Sequence, residues 1–281
     1  MASVRELLRS ADDLHSDELP NDSARRDAEI LLGHCLQRSR TWLFTWPDEP
    51  VPEESAQRYR SLLEQRRAGV PVAYLMQQRD FWSLSLQVNE HTLIPRPDTE
   101  TLVEWALELP LPQAAHVVDL GTGSGAIALA LASERPDWEI LAVDTSDDAL
   151  AVARANACAL QLHRVSFAVS NWFQSLAQQR FDLLVSNPPY IDSADPHLLQ
   201  GDVRFEPLSA LVAADEGLAD IANIVAGAPG HLQSGGWLLL EHGYSQAAAV
   251  RTLLADAGFL DIETRRDLAG HERITGARHA D

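Results

Sequence analysis

Apolar strands alternate with helices from about residue 97 to the end of the chain, and this alternation restricts the fold more than any other feature. The candidate strands are short apolar runs at residues 117–120, 140–144, 165–169, 181–186 and 236–241. An Ala- and Leu-rich helix follows the first run and ends near Ser133, and another follows the second run and ends near Leu160. Such alternation predicts a parallel sheet covered by helices on both faces, with ligands bound at the carboxyl ends of the strands.

The first 80 residues predict a different architecture, a small helical bundle. Five apolar residues at helical spacing would form one buried stripe: Ala28, Leu31, Leu32, Cys35 and Leu36. A further helix is expected to begin after Pro52 and to run to about Arg67. Three aromatic residues are expected to pack between these helices: Trp42, Phe44 and Trp46.

The residues between these two regions change to a period of two. Leu84, Leu86 and Val88 alternate with polar residues, which is typical of a half-buried strand, and residues 89–91 are interpreted as a hairpin turn. The sequence therefore predicts a helical domain over residues 1–80, a hairpin linker over 81–96 and an α/β domain over 97–281.

The charge of the chain limits its partners. Its 22 basic and 41 acidic residues give a formal net charge of −19, and every basic residue is an arginine. This balance has the wrong sign for gripping phosphates over a broad face, so we expect no direct binding of nucleic acid. No run approaches the ~20 apolar residues that cross a bilayer, so we expect no membrane association.

The cysteines and histidines limit the chemistry. The two cysteines, Cys35 and Cys158, lie far apart, which excludes a disulfide scaffold and a cysteine zinc cluster, and both are expected to be buried. The ten histidines show no metal-ligand spacing, so no metal site is expected. Together with an amino terminus that lacks the apolar region of a signal peptide, this cysteine usage predicts a cytoplasmic protein.

A glycine-rich run follows the first strand of the α/β region and opens a helix. It reads Asp119-Leu120-Gly121-Thr122-Gly123-Ser124-Gly125, and the next strand ends in Asp144. Glycines let the backbone turn sharply and let a ligand approach closely, and a carboxylate at the end of the second strand can accept hydrogen bonds from ribose hydroxyls. These residues are candidates for binding a nucleoside-type ligand, although glycines in a purely structural turn would look similar.

Two details argue against a dinucleotide. The last two glycines are separated by one residue, where the dinucleotide fingerprint has two, and the Asp119 carboxylate would repel a pyrophosphate. That carboxylate would suit a cationic ligand. S-adenosylmethionine carries an ammonium and a sulfonium but no phosphate, so it is the cofactor that the sequence predicts.

The strand at residues 181–186 runs directly into Asn187-Pro188-Pro189-Tyr190, which is the candidate catalytic and substrate-binding segment. Prolines restrict the backbone, and Asn187 together with the carbonyl of Pro188 offers two adjacent acceptors, which match one planar –NH2 group. Tyr190 offers an aromatic face for a flat substrate. Accepting both N–H bonds returns electron density to an amide nitrogen, so the segment predicts methyl transfer to an amide or exocyclic amine by positioning and electrostatics.

The glycine run and the Asn-Pro-Pro-Tyr segment together resemble class I S-adenosylmethionine-dependent amino-methyltransferases. More narrowly, three segments resemble the peptide chain release factor N5-glutamine methyltransferases (the HemK/PrmC family). These are the Phe81-Trp82 pair, Leu93-Ile94-Pro95-Arg96-Pro97-Asp98-Thr99-Glu100, and Arg204-Phe205-Glu206-Pro207. The resemblance spans essentially the whole chain.

The resemblance implies a seven-stranded Rossmann-like methyltransferase sheet joined by a β-hairpin to a helical domain that recognises the substrate. It implies methylation of the glutamine side chain in the Gly-Gly-Gln motif of class I release factors, in translation termination. By this match residues 121–125 hold the methionine part of the cofactor, Asp144 holds the ribose, Trp172 packs near the adenine, and residues 187–190 grip the glutamine. Asn171 stands where the family usually has Asp.

Several alternatives remain open from the sequence alone. DNA and RNA amino-methyltransferases share the Asn-Pro-Pro-Tyr segment, so a nucleic-acid methyltransferase is one alternative function. A non-catalytic cofactor-binding module is another. Arg96 and Glu100 either pair at a helix start or contact the substrate. Glu241-His242 is expected to be a surface feature rather than a catalytic pair. Trp172 is either part of the core or part of the cofactor site.

Overall fold

The computed structural model describes residues 1–10 and 21–280. The chain forms two compact units. The helical unit comprises Met1–Gln78 together with Pro196–Phe205, and the sheet unit comprises Arg79–Asp195 together with Glu206–Asp281. The 196–205 segment, which the sequence division placed in the α/β domain, therefore groups with the amino-terminal helices.

Within residues 1–10 and 21–78, the helical unit has five α-helices: α1 (Val4–Arg9), α2 (Asn21–Leu36), α3 (Arg40–Thr45), α4 (Glu53–Arg67) and α5 (Val72–Met76). The predicted apolar stripe on α2 is confirmed, since Ala28, Leu31 and Leu32 are buried against residues of α3 and α4. The prediction for two of the aromatic residues is wrong. Phe44 and Trp46 are 53% and 54% exposed, because α3 turns its Leu43 side to the core instead.

The sheet unit contains a seven-stranded sheet, and the predicted α/β fold is confirmed. Its strands are β3 (His116–Leu120), β4 (Glu139–Asp144), β5 (Val165–Val169), β6 (Phe181–Ser186), β9 (Leu232–Glu241), β10 (Leu260–Arg266) and β11 (Glu272–Arg278). Their order is β10-β11-β9-β6-β3-β4-β5. The five strands from β9 to β5 are parallel, whereas β11 pairs antiparallel with both β9 and β10.

Alternate residues of each central strand enter opposite layers of the core. Val117 of β3 packs in one apolar cluster and Val118 in the other. The first cluster includes α6 (Glu100–Glu108), α7 (Ala126–Glu134) and part of α8 (Asp147–Ala159), and the second includes α10 (Ala219–His231) and α11 (Ala247–Asp256). Helices thus cover both faces, as a parallel sheet with two buried faces requires.

The smaller elements connect this frame. They are β1 (Gln78–Phe81), β2 (Leu84–Gln87), β7 (Ile191–Asp192), β8 (Val212–Ala213), α9 (Ala214–Gly217) and four 3₁₀ segments at Pro97–Thr99, Pro196–Leu199, Gly201–Phe205 and Leu208–Ala210. β1 and β2 form the predicted hairpin, but the expected turn at residues 89–91 is wrong. The chain reverses at Trp82-Ser83, where Trp82 has a positive φ of 56°, and residues 89–91 follow the second strand.

Two further observations concern expectations about the environment of the chain. Cys35 is buried as predicted, whereas Cys158 is exposed near the end of α8, so the expectation for the second cysteine is wrong. Within residues 1–10 and 21–280, no helix is long and apolar enough to cross a bilayer.

Asn156 links the hairpin and the glycine run to α8. Its Nδ2 donates to the carbonyl oxygens of Gln87 at 3.0 Å and Ser124 at 2.9 Å, and its Oδ1 accepts from the backbone N–H of Gln87 at 2.7 Å. The side chain is fully buried, so water cannot replace these bonds. Asn156 therefore helps to determine where the glycine-rich turn lies relative to the linker.

We predict that Asn156→Ala lowers the free energy of unfolding by about 1–3 kcal/mol, because it leaves buried backbone groups without partners. Denaturant unfolding of the purified chain measures the change. Asn171→Ala, which removes the same amide from an exposed position, serves as the control and is expected to leave the stability nearly unchanged. Equal stability of the two variants would contradict the linking role of Asn156.

Candidate active site

A cavity of about 420 Å³ opens at the carboxyl ends of the parallel strands, within the sheet unit. Among the predicted site residues, those that line it are Gly121, Thr122, Gly123, Ser124, Asp144, Trp172, Asn187 and Pro189. The structure thus brings the glycine run and the Asn-Pro-Pro-Tyr segment to one cavity. Asp119, Gly125, Pro188 and Tyr190 do not line its wall.

The glycine run turns from β3 into α7 through residues with positive φ. Gly121, Gly123 and Gly125 have φ values of 76°, 55° and 86°, a region that favours glycine. At Gly121 the absence of a side chain also leaves space, since a Cβ there would lie 3.5 Å from the ring of Trp172. The backbone N–H groups of Gly121 and Thr122 donate to the carbonyl of Val143, which ties the turn to the end of β4.

Asp144 ends β4 and holds the turn from the side of the cavity. Its Oδ2 accepts from the N–H of Gly123 at 2.9 Å, and its Oδ1 accepts from the N–H of Ser146 at 2.9 Å. A carboxylate has about four acceptor sites, so lone pairs on both oxygens remain for a ligand in the cavity. Asp144 is only half-buried, which keeps these lone pairs accessible.

Asp119 supports the same turn from inside the protein. It is fully buried, and its Oδ2 accepts from the hydroxyl of Thr122 at 2.6 Å and from the N–H of Ala128 at 3.2 Å. Its Oδ1 has no hydrogen-bond partner among the described residues. Burial raises the pKa of this carboxyl to about 7 despite the two hydrogen bonds. Asp119 lies inside the protein and orients the turn by accepting these two bonds.

Trp172 belongs both to the core and to the cavity wall. Its ring packs against the apolar cluster that contains Val118 and also lies close to Gly121. The Nε1–H donates to Asp220 Oδ1 at 3.3 Å, and Asp220 lines the cavity as well. Asn171, which precedes it, also lines the cavity and is exposed.

The Asn-Pro-Pro-Tyr segment leaves β6 beside the glycine turn. Just before it, the hydroxyl of Ser186 donates to the carbonyl of Leu120 at 2.6 Å, so the ends of β6 and β3 are joined. Asn187 Nδ2 donates to Thr99 Oγ1 at 3.2 Å. Asn187 and Thr99 both line the cavity.

Tyr190 turns its hydroxyl away from the cavity. It donates to Glu241 Oε1 at 3.3 Å, and burial together with the Glu241 charge raises the pKa of the phenol above its ordinary value. Its carbonyl accepts from Gln246 Nε2 at 3.0 Å, and a Cβ at Gly217 would lie 2.1 Å from that carbonyl oxygen. The expected aromatic face for a flat substrate is therefore not part of the cavity wall, because Tyr190 anchors the segment to β9 instead.

Comparison with known proteins agrees with this geometry. A family model described as the PrmC N-terminal domain matches residues 6–76, and one described as the methyltransferase small domain matches residues 98–200. A release factor glutamine methyltransferase of Pseudomonas aeruginosa is 54% identical over 263 residues, which are 93% of this chain and 95% of that protein. One of Escherichia coli is 53% identical over 259 residues, which are 92% of this chain and 94% of that protein.

The chain belongs to the release factor glutamine methyltransferase family. The resemblance predicted from its sequence is confirmed. The crystal structure of a methyltransferase from Pyrococcus furiosus matches 79% of this chain and 98% of its own chain with a TM-score of 0.55. Its sequence identity is 15%, so this likeness concerns the fold of the release factor glutamine methyltransferase alone.

In this family member, two residues beside the site lie where the sequence did not predict them. Glu241 and His242 were expected at the surface, yet they are 1% and 0% exposed. Burial raises the pKa of Glu241 to about 7, and the Nε2 of His242 lies 2.7 Å from the hydroxyl of Thr275. A charged residue directly after Leu238–Leu240 in a parallel strand was the available signal, because such strand ends form the ligand edge of the sheet.

The Leu93–Glu100 segment, one of the three that resemble the release factor methyltransferases, also contacts distant residues of the chain. Arg96 pairs with the buried Glu206, whose other oxygen accepts from the N–H of Ile94 at 2.9 Å. Glu100 accepts from the N–H of Trp82 at 2.8 Å. Arg96 and Glu100 therefore do not pair with each other at the helix start, which was one of the two alternatives, since each charge is held by a distant segment. Arg96 also lines the cavity.

We predict that the buried Asp119 makes stability depend on pH. The folded protein retains this proton up to about pH 7, whereas the unfolded chain releases it near the ordinary pKa of 3.8, so the folded state binds more protons in between. The free energy of unfolding of the wild type, measured relative to Asp119→Asn, therefore falls as the pH rises from about 4 to about 7 and then levels off.

Denaturant unfolding of both proteins between about pH 5 and about pH 8 measures this difference. Asn at position 119 retains an acceptor for Thr122 and Ala128 but does not titrate. Subtracting the free energy of unfolding of Asp119→Asn from that of the wild type therefore cancels the contributions of the other titrating groups. A difference that is constant over this range would show that Asp119 does not retain its proton.

Proposed function

We propose that this chain transfers a methyl group from S-adenosylmethionine to the side-chain amide nitrogen of the glutamine in the Gly-Gly-Gln motif of class I release factors. The observation that carries this proposal is that Asn187 and the glycine turn line one cavity. The relatives that are 53–54% identical over more than nine-tenths of the chain, and that are named release factor glutamine methyltransferases, support the same reaction and substrate.

The cavity fits the proposed cofactor on the side of the glycine turn. Gly121, Gly123 and the neighbouring N–H groups offer a close approach without side chains, and Asp144 offers acceptors for the two ribose hydroxyls. Trp172 provides an apolar wall for the adenine, with the carboxylate of Asp220 beside it. Residues 121–125, Asp144 and Trp172 are thus the proposed cofactor-binding residues, and Asn187 borders the same cavity on the side of the substrate.

The other side of the cavity would hold the glutamine. Asn187 Oδ1 and the carbonyl of Pro188 accept the two N–H bonds of the substrate carboxamide, while Pro189 and Tyr190 hold the segment in place. This arrangement returns electron density to the amide nitrogen, whose lone pair is otherwise delocalised. When bound, the cofactor supplies an electrophilic methyl group on a sulfonium. The nitrogen loses one proton to solvent as it gains the methyl, so the residues act by positioning and electrostatics.

The helical unit has a proposed role of its own. Its residues 6–76 match the family's amino-terminal domain, and we assign to this unit the recognition of the release factor. The acidic composition supports a protein substrate rather than a nucleic acid, because a phosphate backbone would be repelled. A substrate of translation termination places the enzyme in the cytoplasm.

Incubation of the protein with methyl-labelled S-adenosylmethionine and separate pools of release factor, ribosomal RNA and DNA tests the proposal. Label is expected only in the release factor, on the glutamine of the Gly-Gly-Gln motif, as located by peptide mass spectrometry. A release factor with that glutamine replaced by glutamate is the matched control and is expected to stay unlabelled. Label in either nucleic acid but not in the release factor would overturn the proposal.

We predict that Asn187→Ala abolishes methyl transfer while leaving cofactor affinity nearly unchanged. The variant removes an acceptor for the substrate amide, and the cofactor-binding residues of the glycine turn and Asp144 stay in place. Turnover at saturating cofactor and a calorimetric titration with S-adenosylmethionine measure the two effects. Normal turnover combined with a large loss of cofactor affinity would refute the assignment of Asn187 to the substrate.

We predict that Asp144→Ala weakens cofactor binding by about 1–3 kcal/mol, because hydrogen bonds to a charged group are lost. The same titration measures the change. Asp148→Ala is the matched control, since it removes an exposed carboxylate at the start of α8 that does not line the cavity. Unchanged affinity in Asp144→Ala would remove the ribose assignment.

A further inference from the structure

Thr99 and Glu241 belong to two hydrogen-bonded pairs beside the cavity. Asn187 Nδ2 donates to Thr99 Oγ1 at 3.2 Å, and the Tyr190 hydroxyl donates to Glu241 Oε1 at 3.3 Å. The Thr99 hydroxyl also favours the charged form of the Glu241 carboxylate, as a nearby donor does. Thr99 is the last residue of the 3₁₀ segment Pro97–Thr99. The two hydrogen-bonded pairs therefore lie where this segment meets the carboxyl ends of β6 and β9.

Strand register brings these residues together. Ser186 of β6 is the Cα partner of Leu240 in the parallel strand β9, so Asn187 and Glu241 are the next residues along two neighbouring strands. Thr99 is 4% exposed and Glu241 is 1% exposed. Little solvent reaches either side chain to replace a lost hydrogen bond, so the direction of each bond matters.

The available protons determine these directions. An ionised carboxylate only accepts, and the Tyr190 hydroxyl keeps its proton, so Tyr190 donates to Glu241. Thr99 has one proton and already accepts from Asn187. Glu241 Oε2 is buried and has no hydrogen-bond partner among the described residues, so we assign it as the acceptor for the Thr99 proton.

This order restricts the Asn187 side chain. The two ends of a carboxamide have nearly the same shape, so packing alone does not distinguish them. A Thr99 hydroxyl that gives its proton to the Glu241 carboxylate has only acceptor sites left for Asn187. The –NH2 end of Asn187 must therefore face Thr99. Oδ1 then lies on the other side of the planar group, and within residues 1–10 and 21–280 no donor contacts it. We propose that Thr99 and Glu241 are positioning residues that hold the Asn187 carboxamide with Oδ1 presented to the substrate amide.

Above about pH 7, Glu241 is ionised and only accepts hydrogen bonds. Burial is the largest influence and raises its pKa to about 7, while Thr99, Arg273 and Tyr190 act in the opposite direction and Asp98 adds to the increase. Arg273 lies 3.7 Å from Asp98 and 3.2 Å from Asp267, so its guanidinium is held near the end of β9 by two carboxylates. The adjacent His242 is buried, which lowers its pKa and favours its neutral form.

The positioning role rests on the proposed function, and three variants test it. Thr99→Val retains the shape of the side chain but removes the hydroxyl, whereas Thr99→Ser retains the hydroxyl and is the matched control. Glu241→Gln retains the shape but must turn its –NH2 end toward either Thr99 or Tyr190. For each variant, kcat at saturating release factor and cofactor, the Kd for S-adenosylmethionine and the midpoint of thermal unfolding are measured.

We expect kcat to fall about tenfold or more in Thr99→Val and in Glu241→Gln, because an amide that is free to turn places a donor where an acceptor is needed. Thr99→Ser is expected to remain within about threefold of the wild type, and the cofactor Kd of all variants within about twofold. The double variant Thr99→Val/Glu241→Gln is expected to lose no more kcat than the more impaired single variant, because both substitutions act through the Asn187 side chain.

A smaller decrease of kcat in either Thr99→Val or Glu241→Gln overturns the proposal, as does equal impairment of Thr99→Ser and Thr99→Val. If Thr99→Val does not fold, Glu241→Gln and the Thr99→Ser control decide the question. The wild type, assayed alongside, keeps the two proposals apart. If the wild type methylates only nucleic acid, the proposed function is refuted. If the wild type methylates the release factor and Glu241→Gln is equally active, the positioning role alone is refuted.

Discussion

The level register of four neighbouring parallel strands is the constraint on which the site depends. Leu120 at the end of β3 pairs with Val143 of β4 on one side and with Ser186 of β6 on the other, and Ser186 pairs with Leu240 of β9. The next residues along these strands form the site: the glycine turn, Asp144, Asn187 and Glu241. Because side chains alternate with a period of two, a shift of one residue in any of these strands would turn its end residue to the opposite face.

Buried carboxyl groups stand behind both halves of the cavity. Asp119 accepts from Thr122 and Ala128 behind the glycine turn, and Glu241 accepts from Tyr190 behind Asn187. Burial raises the pKa of each to about 7, so each is retained at some cost in folding free energy. The hydrogen bonds that each carboxyl group accepts determine which way its neighbours point, and this is what a site that works by positioning requires.

Much of the fold followed from local patterns. The strand at residues 181–186 lies where its apolar run predicted it, because a parallel strand buried on both faces must be almost entirely apolar. The strand at residues 165–169 also lies where it was predicted, although it is a partly exposed edge strand. The hairpin turn was misplaced, because Trp82 adopts a positive φ that its residue type does not favour. The glycine run was recognisable because positive φ values there require glycine, whereas Asp119 was expected to contact the ligand and lies inside the protein instead.

By itself, the sequence determined the alternation of strands and helices, the glycine turn and the rigid Asn-Pro-Pro-Tyr segment, since periodicity and backbone restriction act between neighbouring residues. Tertiary structure alone decided which groups meet across the sheet. Asn187 and Thr99 are 88 positions apart, and Tyr190 and Glu241 are 51 apart. Their contacts depend on strand order and burial, which place distant residues side by side in a region that water does not enter, and no local pattern carries that information.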